Sequence, residues 1–417
     1  MEGGHTPREY PIVVVGAGAA GLMAAIFAAS AAPPPVVLIE RTRDGGRKIL
    51  ISGGGRCNVL PSRIEPGEYV TSSSPNTLKK LLLDWPLTEQ REFFEEELEI
   101  PLRLEAETGK LFPASNRARD VRDGLVRRAR EGGVELRFGA AVSDLVPPTD
   151  PGTPWTVVLE GGEHVPARRV ILAAGGLSVP ATGSQGEGLQ ILARLGHTVN
   201  PLYPALTPLL ANPPVHADLA GLSLEVTIKS PGGRERQEAR GGFLFTHRGY
   251  SGPVVLDLSH LATLAQIQGV PREFLVQWSH QSPEEWDARL REDPALRVRA
   301  LLRRALPARL ADRLLEEAAV DPETPLAQLR REDRVRLATC LGAYPLPWSG
   351  DEGYRKAEVT GGGVDLSEIH PRSMESRIHQ GLHLCGELLD AFGPIGGYNF
   401  AWAWATGRRA GLGAAGL

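Results

Sequence analysis

The sequence predicts an α/β fold whose organising unit is a Rossmann-like βαβ of the dinucleotide-binding type. Two observations carry this. The apolar run Ile12-Val13-Val14-Val15 leads directly into Gly16-Ala17-Gly18-Ala19-Ala20-Gly21 and a helical stretch to Ala31. A second apolar run, residues 36–39, then ends on Glu40, about 20 residues past the glycines, where a carboxylate meets a ribose. A lone GxGxxG is a weak signal, and the register of strand, glycines, helix, strand and acid is what makes it specific.

Each residue type has a physical reason. Gly16 permits the tight turn, Gly18 lets backbone approach a pyrophosphate, and Gly21 lets the helix pack closely on the strand. The anion rests on the free N–H groups of the helix start, at Ala19 and Ala20. No charge lies between Glu9 and Glu40, which raises the alternatives of a membrane span or a secretory signal. Neither fits, because a basic n-region is missing and Pro33-Pro34-Pro35 breaks any long helix.

A chain of 417 residues, 42% hydrophobic and 23% charged, is long enough for two or three domains with a large core. Three cysteines without a CxxC pair, and no targeting segment, point to a reducing cytoplasm, no disulfide framework and no metal site. A net charge of -4 gives no global field that would draw nucleic acid or a membrane surface.

Past Glu40, residues 41–48 hold Arg41, Gly46, Arg47 and Lys48, and residues 52–58 read Ser52-Gly53-Gly54-Gly55-Arg56-Cys57-Asn58. Such a loop lays many N–H groups against a ligand, with Lys48 and Arg56 supplying charge for phosphates or a reduced ring. Residues 74–98 and 120–131 read as helices, 134–138 as a strand, and 155–165 as a hairpin. A separate buried strand then ends in Ala173-Ala174-Gly175-Gly176 and returns the chain to the nucleotide. Residues 182–188 form another glycine turn, opening a helix.

From residue 196 short alternating runs with Pro and Gly between them predict a small antiparallel, barrel-like sheet. Residues 283–341 predict a helical subdomain. Twelve arginines against nine acids between Arg289 and Arg336 read as a salt-bridged helix face in preference to an RNA surface. The expected organisation is a discontinuous cofactor domain, 1–195 with 350–417, an inserted β domain, 196–282 with 342–349, and the helical part between them. Beyond residue 346 the glycine segments return, with Gly386-Glu387 and Ile395-Gly396-Gly397-Tyr398-Asn399 before a final alanine-rich helix. His379 and His383 are spaced by four, but Gly381 interrupts them, so they read as packing or surface residues.

These residues resemble the BaiN/YhiN-like flavoproteins, also called aminoacetone-oxidase-like FAD-binding enzymes, over nearly the whole chain. The likeness rests on GAGAAG, on SGGGRCN at 52–58, GGLSVPATGSQGEG at 175–188, FTHRGYSGP at 245–253 and VTGGGV at 359–364. It continues in MES at 374–376, CGELLDAFGPIGGYN at 385–399 and WAWATG at 402–407. One departure is Arg377 where lysine is expected after MES, a conservative change. The resemblance implies FAD, a two-dinucleotide-fold type of flavin domain split by the insertion, and redox chemistry on a small organic molecule, either amine oxidation or enone reduction. Val142 completes the expected cofactor set.

Four glycine segments converging on one extended ligand favour FAD over NAD, since one GxGxxG leaves no second nucleotide domain. NAD(P)H, if used, binds transiently as electron donor. Rival readings are a non-catalytic flavin sensor and a tRNA-modifying flavoprotein. His247, in the loop of residues 246–253, is the expected acid–base group, because it titrates near neutrality. Cys57 and Cys385 are expected to be inert.

Overall fold

The computed structural model describes residues 8–232 and 237–417. The chain falls into two compact units, one running up to Pro204 and resuming at Glu358–Leu417, the other Ala205–Ala357.

The first unit opens with strand β1 (Tyr10–Val15), helix α1 (Ala19–Ala31), strand β2 (Val36–Glu40) and short helix α2 (Arg47–Ile51). Helix α3 (Ala118–Glu131) precedes strands β3 (Glu135–Phe138), β4 (Val142–Val146), β5 (Trp155–Leu159) and β6 (His164–Leu172), then helix α4 (Glu187–Arg194). The chain re-enters with β7 (Val359–Val364) and β8 (Leu382–Leu384) and ends in helix α5 (Tyr398–Ala415). Strands β3, β2, β1, β6 and β8 are neighbours in that order, all parallel. Parallel strands covered on both faces are apolar throughout, as Val13, Val14, Val37 and Leu38 are, each fully buried.

Residues 155–172 differ from the sequence expectation. The hairpin forms, but its second arm and the buried strand are one nine-residue strand, β6, whose amino half pairs antiparallel with β5 while its carboxyl half runs parallel to β1 and β8. The change of partner shows in its burial, alternating at His164 to Arg168 and continuous at Val170, Ile171 and Leu172.

Helix α1 is apolar on almost every side because α5 covers the face turned away from the sheet. Glycines make that contact possible: a Cβ at Gly407 would stand 2.4 Å from the Ala20 carbonyl, and one at Gly411 2.4 Å from that of Ala24. Burying Leu22, Met23 and Ile26 in this layer contributes about 1.5–3 kcal/mol each.

The second unit holds a seven-stranded antiparallel sheet whose longest strands are Ser223–Ser230 and Gln237–Phe245. Helices Pro283–Arg289, Val298–Ala305, Ala308–Glu317 and Arg331–Gly342 follow and share one core with it, including Phe243, Phe245, Tyr250, Trp278 and Trp286. Seven of the twelve arginines between Arg289 and Arg336 are ion-paired to aspartate or glutamate of this unit. Among the described residues no helix is long and apolar enough to cross a membrane.

Candidate functional site

A cavity of about 380 Å³ opens at the carboxyl ends of the parallel strands, entirely within the first unit. Ligands of open α/β sheets bind there, outside the strand ends. Val15, Ile39, Leu172 and Gly386 bring β1, β2, β6 and the end of β8 to its wall.

The first glycine turn is built as its residues require. Gly16 adopts φ +100°, and a Cβ on it would lie 2.6 Å from the Ala173 carbonyl oxygen. At Gly21 a Cβ would lie 1.8 Å from the Gly16 oxygen, so α1 seats directly on the turn. Gly18 differs from both: its φ is -76° and nothing stands within 4 Å of its Cβ position. That empty space belongs to the cavity, beside the N–H groups that open α1.

At the end of β2, Glu40 accepts the N–H of Ala17 and of Thr42, each at 2.7 Å. Its two oxygens hold the turn in place and keep further lone pairs for a ligand hydroxyl. Arg41 beside it pairs with Glu187 on α4 at 2.5 Å.

Deeper in, Lys48 Nζ donates to Ser178 Oγ and to Glu387 Oε2, both at 2.5 Å. The Ser178 hydroxyl donates in turn to Glu387 Oε1, which also accepts the Thr360 N–H at 2.9 Å. Thr360 Oγ1 accepts the N–H groups of Leu177 at 2.7 Å and Ser178 at 3.1 Å, tying β7 to the 177–179 loop. Val179, next in that loop, sits at φ +48°, left-handed backbone that a β-branched side chain strongly disfavours. Such strain persists only where surrounding bonds over-determine it, here the Thr360 clasp.

The fourth wall is the start of α5. Gly397 is its N-cap at φ +102°, so no side chain shields the first-turn N–H groups. Asn399 does not cap the helix. Its Oδ1 accepts the Gly393 N–H and its Nδ2 donates to the Gly393 carbonyl, both at 2.9 Å, clasping the loop that precedes the helix. Trp402 Nε1 donates to the Gly386 carbonyl and Thr406 Oγ1 accepts the Gly386 N–H, fixing the Gly386-Glu387 segment on α5.

Of the residues expected from sequence, Gly16, Gly18, Ala19, Ala20, Glu40, Arg41, Gly46, Arg47, Lys48, Ser52, Gly53, Gly54 and Asn58 line this cavity. So do Val142, Ala173, Ala174, Gly175, Gly386, Glu387, Gly396, Gly397 and Asn399. Gly21, Gly55, Arg56, Cys57, Gly176, Ile395 and Tyr398 are not on its wall. Arg56 instead lies over the Phe112 ring at 3.9 Å and pairs with Glu105. Cys57 is fully buried, and burial pushes its thiol up to about 12. His247 is exposed on the turn after Phe245 in the second unit. Among the described residues no His, Cys, Asp and Glu are grouped to hold a metal.

The wall also contains Ala140, Ala141, Val179, Glu358, Val359, Phe392 and Phe400. Val179, Val359 and Phe392 fall inside the motifs quoted above without having been singled out as site residues, and no motif marks Ala140, Ala141, Glu358 or Phe400. The turn of residues 182–188 was visible as glycine-rich, and Thr182, Gly183, Ser184, Glu187 and Gly188 all face the cavity.

An open pyrophosphate berth at Gly18, a carboxylate at the end of β2, a fixed lysine and a bare helix start at the far wall fit FAD. Fold and site together define a Rossmann-type FAD-binding protein. The family model described as "HI0933-like protein Rossmann domain" matches residues 10–413. A ribosomal RNA dihydrouridine synthase of Escherichia coli (strain K12) is 33% identical over 408 residues, 95% of this chain and 96% of that protein. A 3-dehydro-bile acid delta(4,6)-reductase of Clostridium scindens is 31% identical over 411 residues, 97% and 98% of the two chains. Among solved structures, 3-ketosteroid delta1-dehydrogenase from Sterolibacterium denitrificans shares the fold at TM-score 0.51 and 14% identity, over 98% of this chain and 99% of that one. The chain belongs to the HI0933-like family of FAD-dependent oxidoreductases.

Proposed function

We propose that this oxidoreductase reduces a carbon–carbon double bond conjugated to a carbonyl. One observation carries the reading: two relatives that match nearly the whole chain are named for reducing a 3-dehydro-bile acid and for making dihydrouridine. A 4,6-dien-3-one and the C5=C6 bond of uracil are both alkenes polarised by a carbonyl. Either accepts hydride at the β-carbon and a proton at the α-carbon.

Bound FAD supplies the hydride. In this reading the chain's residues do the rest. The start of α1 and Glu40 hold the nucleotide. The Lys48 ammonium, fixed by Ser178 and Glu387, opposes negative charge gathering on the ring or on the substrate carbonyl. The bare amino end of α5 adds about half a positive charge from its free N–H groups. Val142, Ala173 and Gly175 complete the cofactor wall, and NAD(P)H is the transient electron donor. A small organic enone is the proposed substrate, because seven arginines of residues 289–336 are already paired with carboxylates of their own unit.

The test is anaerobic. Oxidised holoenzyme is mixed with NADH, NADPH and simple amines, and the reduced form with a steroid 4,6-dien-3-one or an uracil-containing rRNA fragment. The expected result is bleaching by a nicotinamide and reoxidation by the dienone. Bleaching by amines with no reoxidation by either alkene overturns the proposal in favour of amine oxidation, and reoxidation by RNA alone moves the substrate to nucleic acid.

A further inference from the structure

We propose that Glu358 is the proton donor of this reaction, delivering its carboxyl proton to the α-carbon as hydride reaches the β-carbon. The inference rests on the enone reading above and comes from elimination around the cavity. The described side chains on its wall include no histidine, tyrosine, cysteine or aspartate, which leaves Glu40, Glu187, Glu358 and Glu387 with Arg41, Arg47 and Lys48. Arginines do not release protons in proteins. Glu40 is engaged by two backbone N–H groups, Glu187 by Arg41, and Glu387 by Lys48, Ser178 and Thr360. Lys48 is in turn committed to Ser178 and Glu387. Glu358 has no hydrogen bond or ion pair among the described residues.

Its place on the chain fits the role. Glu358 stands immediately before β7, whose residues are all buried. Glu358 and the next residue, Val359, both line the cavity, one step before Thr360, the residue tied to Ser178 and Glu387. The charged groups facing it are Lys48 on α2 and Lys110 on strand Lys110–Pro113. The Lys110 side chain passes Gly396 of the cavity wall, 3.0 Å from where a Cβ there would lie. The Glu358 side chain is exposed to the open cavity, and the protein packed around that cavity raises its carboxyl above the ordinary carboxylate range, against the pull of both lysines. It therefore holds its proton to higher pH than a free glutamate does, as a general acid must.

The step balances. The hydride pair forms a C–H bond at the β-carbon, and the alkene π pair shifts toward the α-carbon. A second C–H bond forms there as the Glu358 O–H breaks, leaving carboxylate. The substrate is reduced by two electrons and the bound flavin is oxidised by two.

The experiment uses FAD-loaded wild type, E358Q and E358D. Without substrate, the visible spectrum of the bound flavin is titrated with pH. Wild type shows an inflection above the ordinary carboxylate range, E358D shows a displaced one, and E358Q shows none. An inflection unchanged in E358Q overturns the proposal. With dithionite-reduced enzyme and the steroid 4,6-dien-3-one, E358Q reoxidises about 100-fold or more slowly, the usual scale for a lost general acid. E358D is rescued in part, and the wild-type rate falls as pH rises through the carboxyl's titration. Equal rates and pH profiles in E358Q and wild type also overturn it. If wild type reoxidises with neither the dienone nor the RNA fragment, the enone reading falls and takes the donor role with it, whereas the spectral titration still reports whether Glu358 faces the ring.

Discussion

The cavity wall of the first unit and the His216 cluster of the second use the same residue types in opposite ways. In the second unit His216 Nδ1 shares a proton with the Tyr250 hydroxyl at 2.9 Å, and its Nε2 meets Glu317 at 3.1 Å and Tyr344 at 3.2 Å. Glu317 also accepts from Arg313 at 2.7 Å and from the Tyr344 hydroxyl at 2.8 Å. His216, Tyr250, Glu317, Arg313 and Tyr344 are each spent on another of the five. Around the cavity, Gly18 faces empty space, α5 begins without a side-chain cap, and Glu358 has no hydrogen-bond partner. Covering a polar group without giving it a partner costs stability, so Glu358, unspent and exposed to the concavity, and the bare helix start mark where a ligand completes the structure, and saturated groups mark scaffold.

The largest test of that contrast is Glu317→Ala. Burial would raise the Glu317 carboxyl, yet hydrogen bonds from His216, Arg313 and Tyr344 outweigh it and bring it down to about 2. A fall from the ordinary 4.5 to about 2, at 1.36 kcal/mol per unit, is about 3 kcal/mol. Because the folded value lies below the unfolded one, this stabilisation is fully present above about pH 4.5 and is lost as pH falls toward 2. Chemical denaturation at pH 7 should show Glu317→Ala destabilised by about 3 kcal/mol, with the gap to wild type closing in acid. FAD content per folded molecule should be unchanged, and a parallel loss of FAD would erase the distinction between the two regions.

The second test removes ligand space and leaves protein contacts alone. Since a Cβ on Gly18 meets nothing within 4 Å, Gly18→Val should still fold, losing no more than the ~1 kcal/mol that a poor N-cap residue costs. It should still weaken FAD by at least about 100-fold, or about 2.7 kcal/mol. Gly397 makes a poorer probe, because a Cβ there lies 2.5 Å from the Leu60 carbonyl carbon and damages the fold as well. Fluorescence titration of apoprotein with FAD decides the matter, and normal affinity in Gly18→Val would move the pyrophosphate away from α1.

Smaller still is Lys48→Met. Taking a fixed cation from the wall should disfavour the reduced, more negative flavin by about 1.4 kcal/mol, which is about 30 mV in a two-electron couple. Spectroelectrochemistry should find the potential lowered, and a potential that stays or rises would place Lys48 away from the ring.

Legibility followed sequence distance. The βαβ start was readable because its strand, glycines, helix and acid are consecutive, and each residue type has one local reason to be there. Glu358 and the alanines at 140 and 141 were invisible because only tertiary contact gives them meaning. The bond from Lys48 to Glu387 joins residues 339 positions apart, and no pattern in either segment announces the other. Local chemistry also misled at two places. Asn399, placed by sequence in the segment before the last helix, lies within its first turn, where Gly397 takes the N-cap position and Asn399 turns back to Gly393. The hairpin and strand at 155–172 looked separate because the burial pattern changes where β6 exchanges its antiparallel neighbour for parallel ones.

The smallest effect is expected at His247, which sequence chemistry singled out for acid–base work. Its turn is closed by groups other than its own side chain: the Thr246 N–H donates to the Gly249 carbonyl at 2.9 Å, and the Arg248 N–H to Thr246 Oγ1 at 3.3 Å. The imidazole itself is exposed. Replacing an exposed, unburdened side chain changes stability by no more than about 0.5 kcal/mol. If Glu358 supplies the proton, His247→Ala keeps its FAD, its stability and its single-turnover rate, far short of the ~100-fold loss expected for a general acid. The measurement is reoxidation of the reduced variant by the steroid dienone across pH 5–9, run beside E358Q. A slow His247→Ala with a missing inflection, next to an unimpaired E358Q, would transfer the proton-donor role to the histidine.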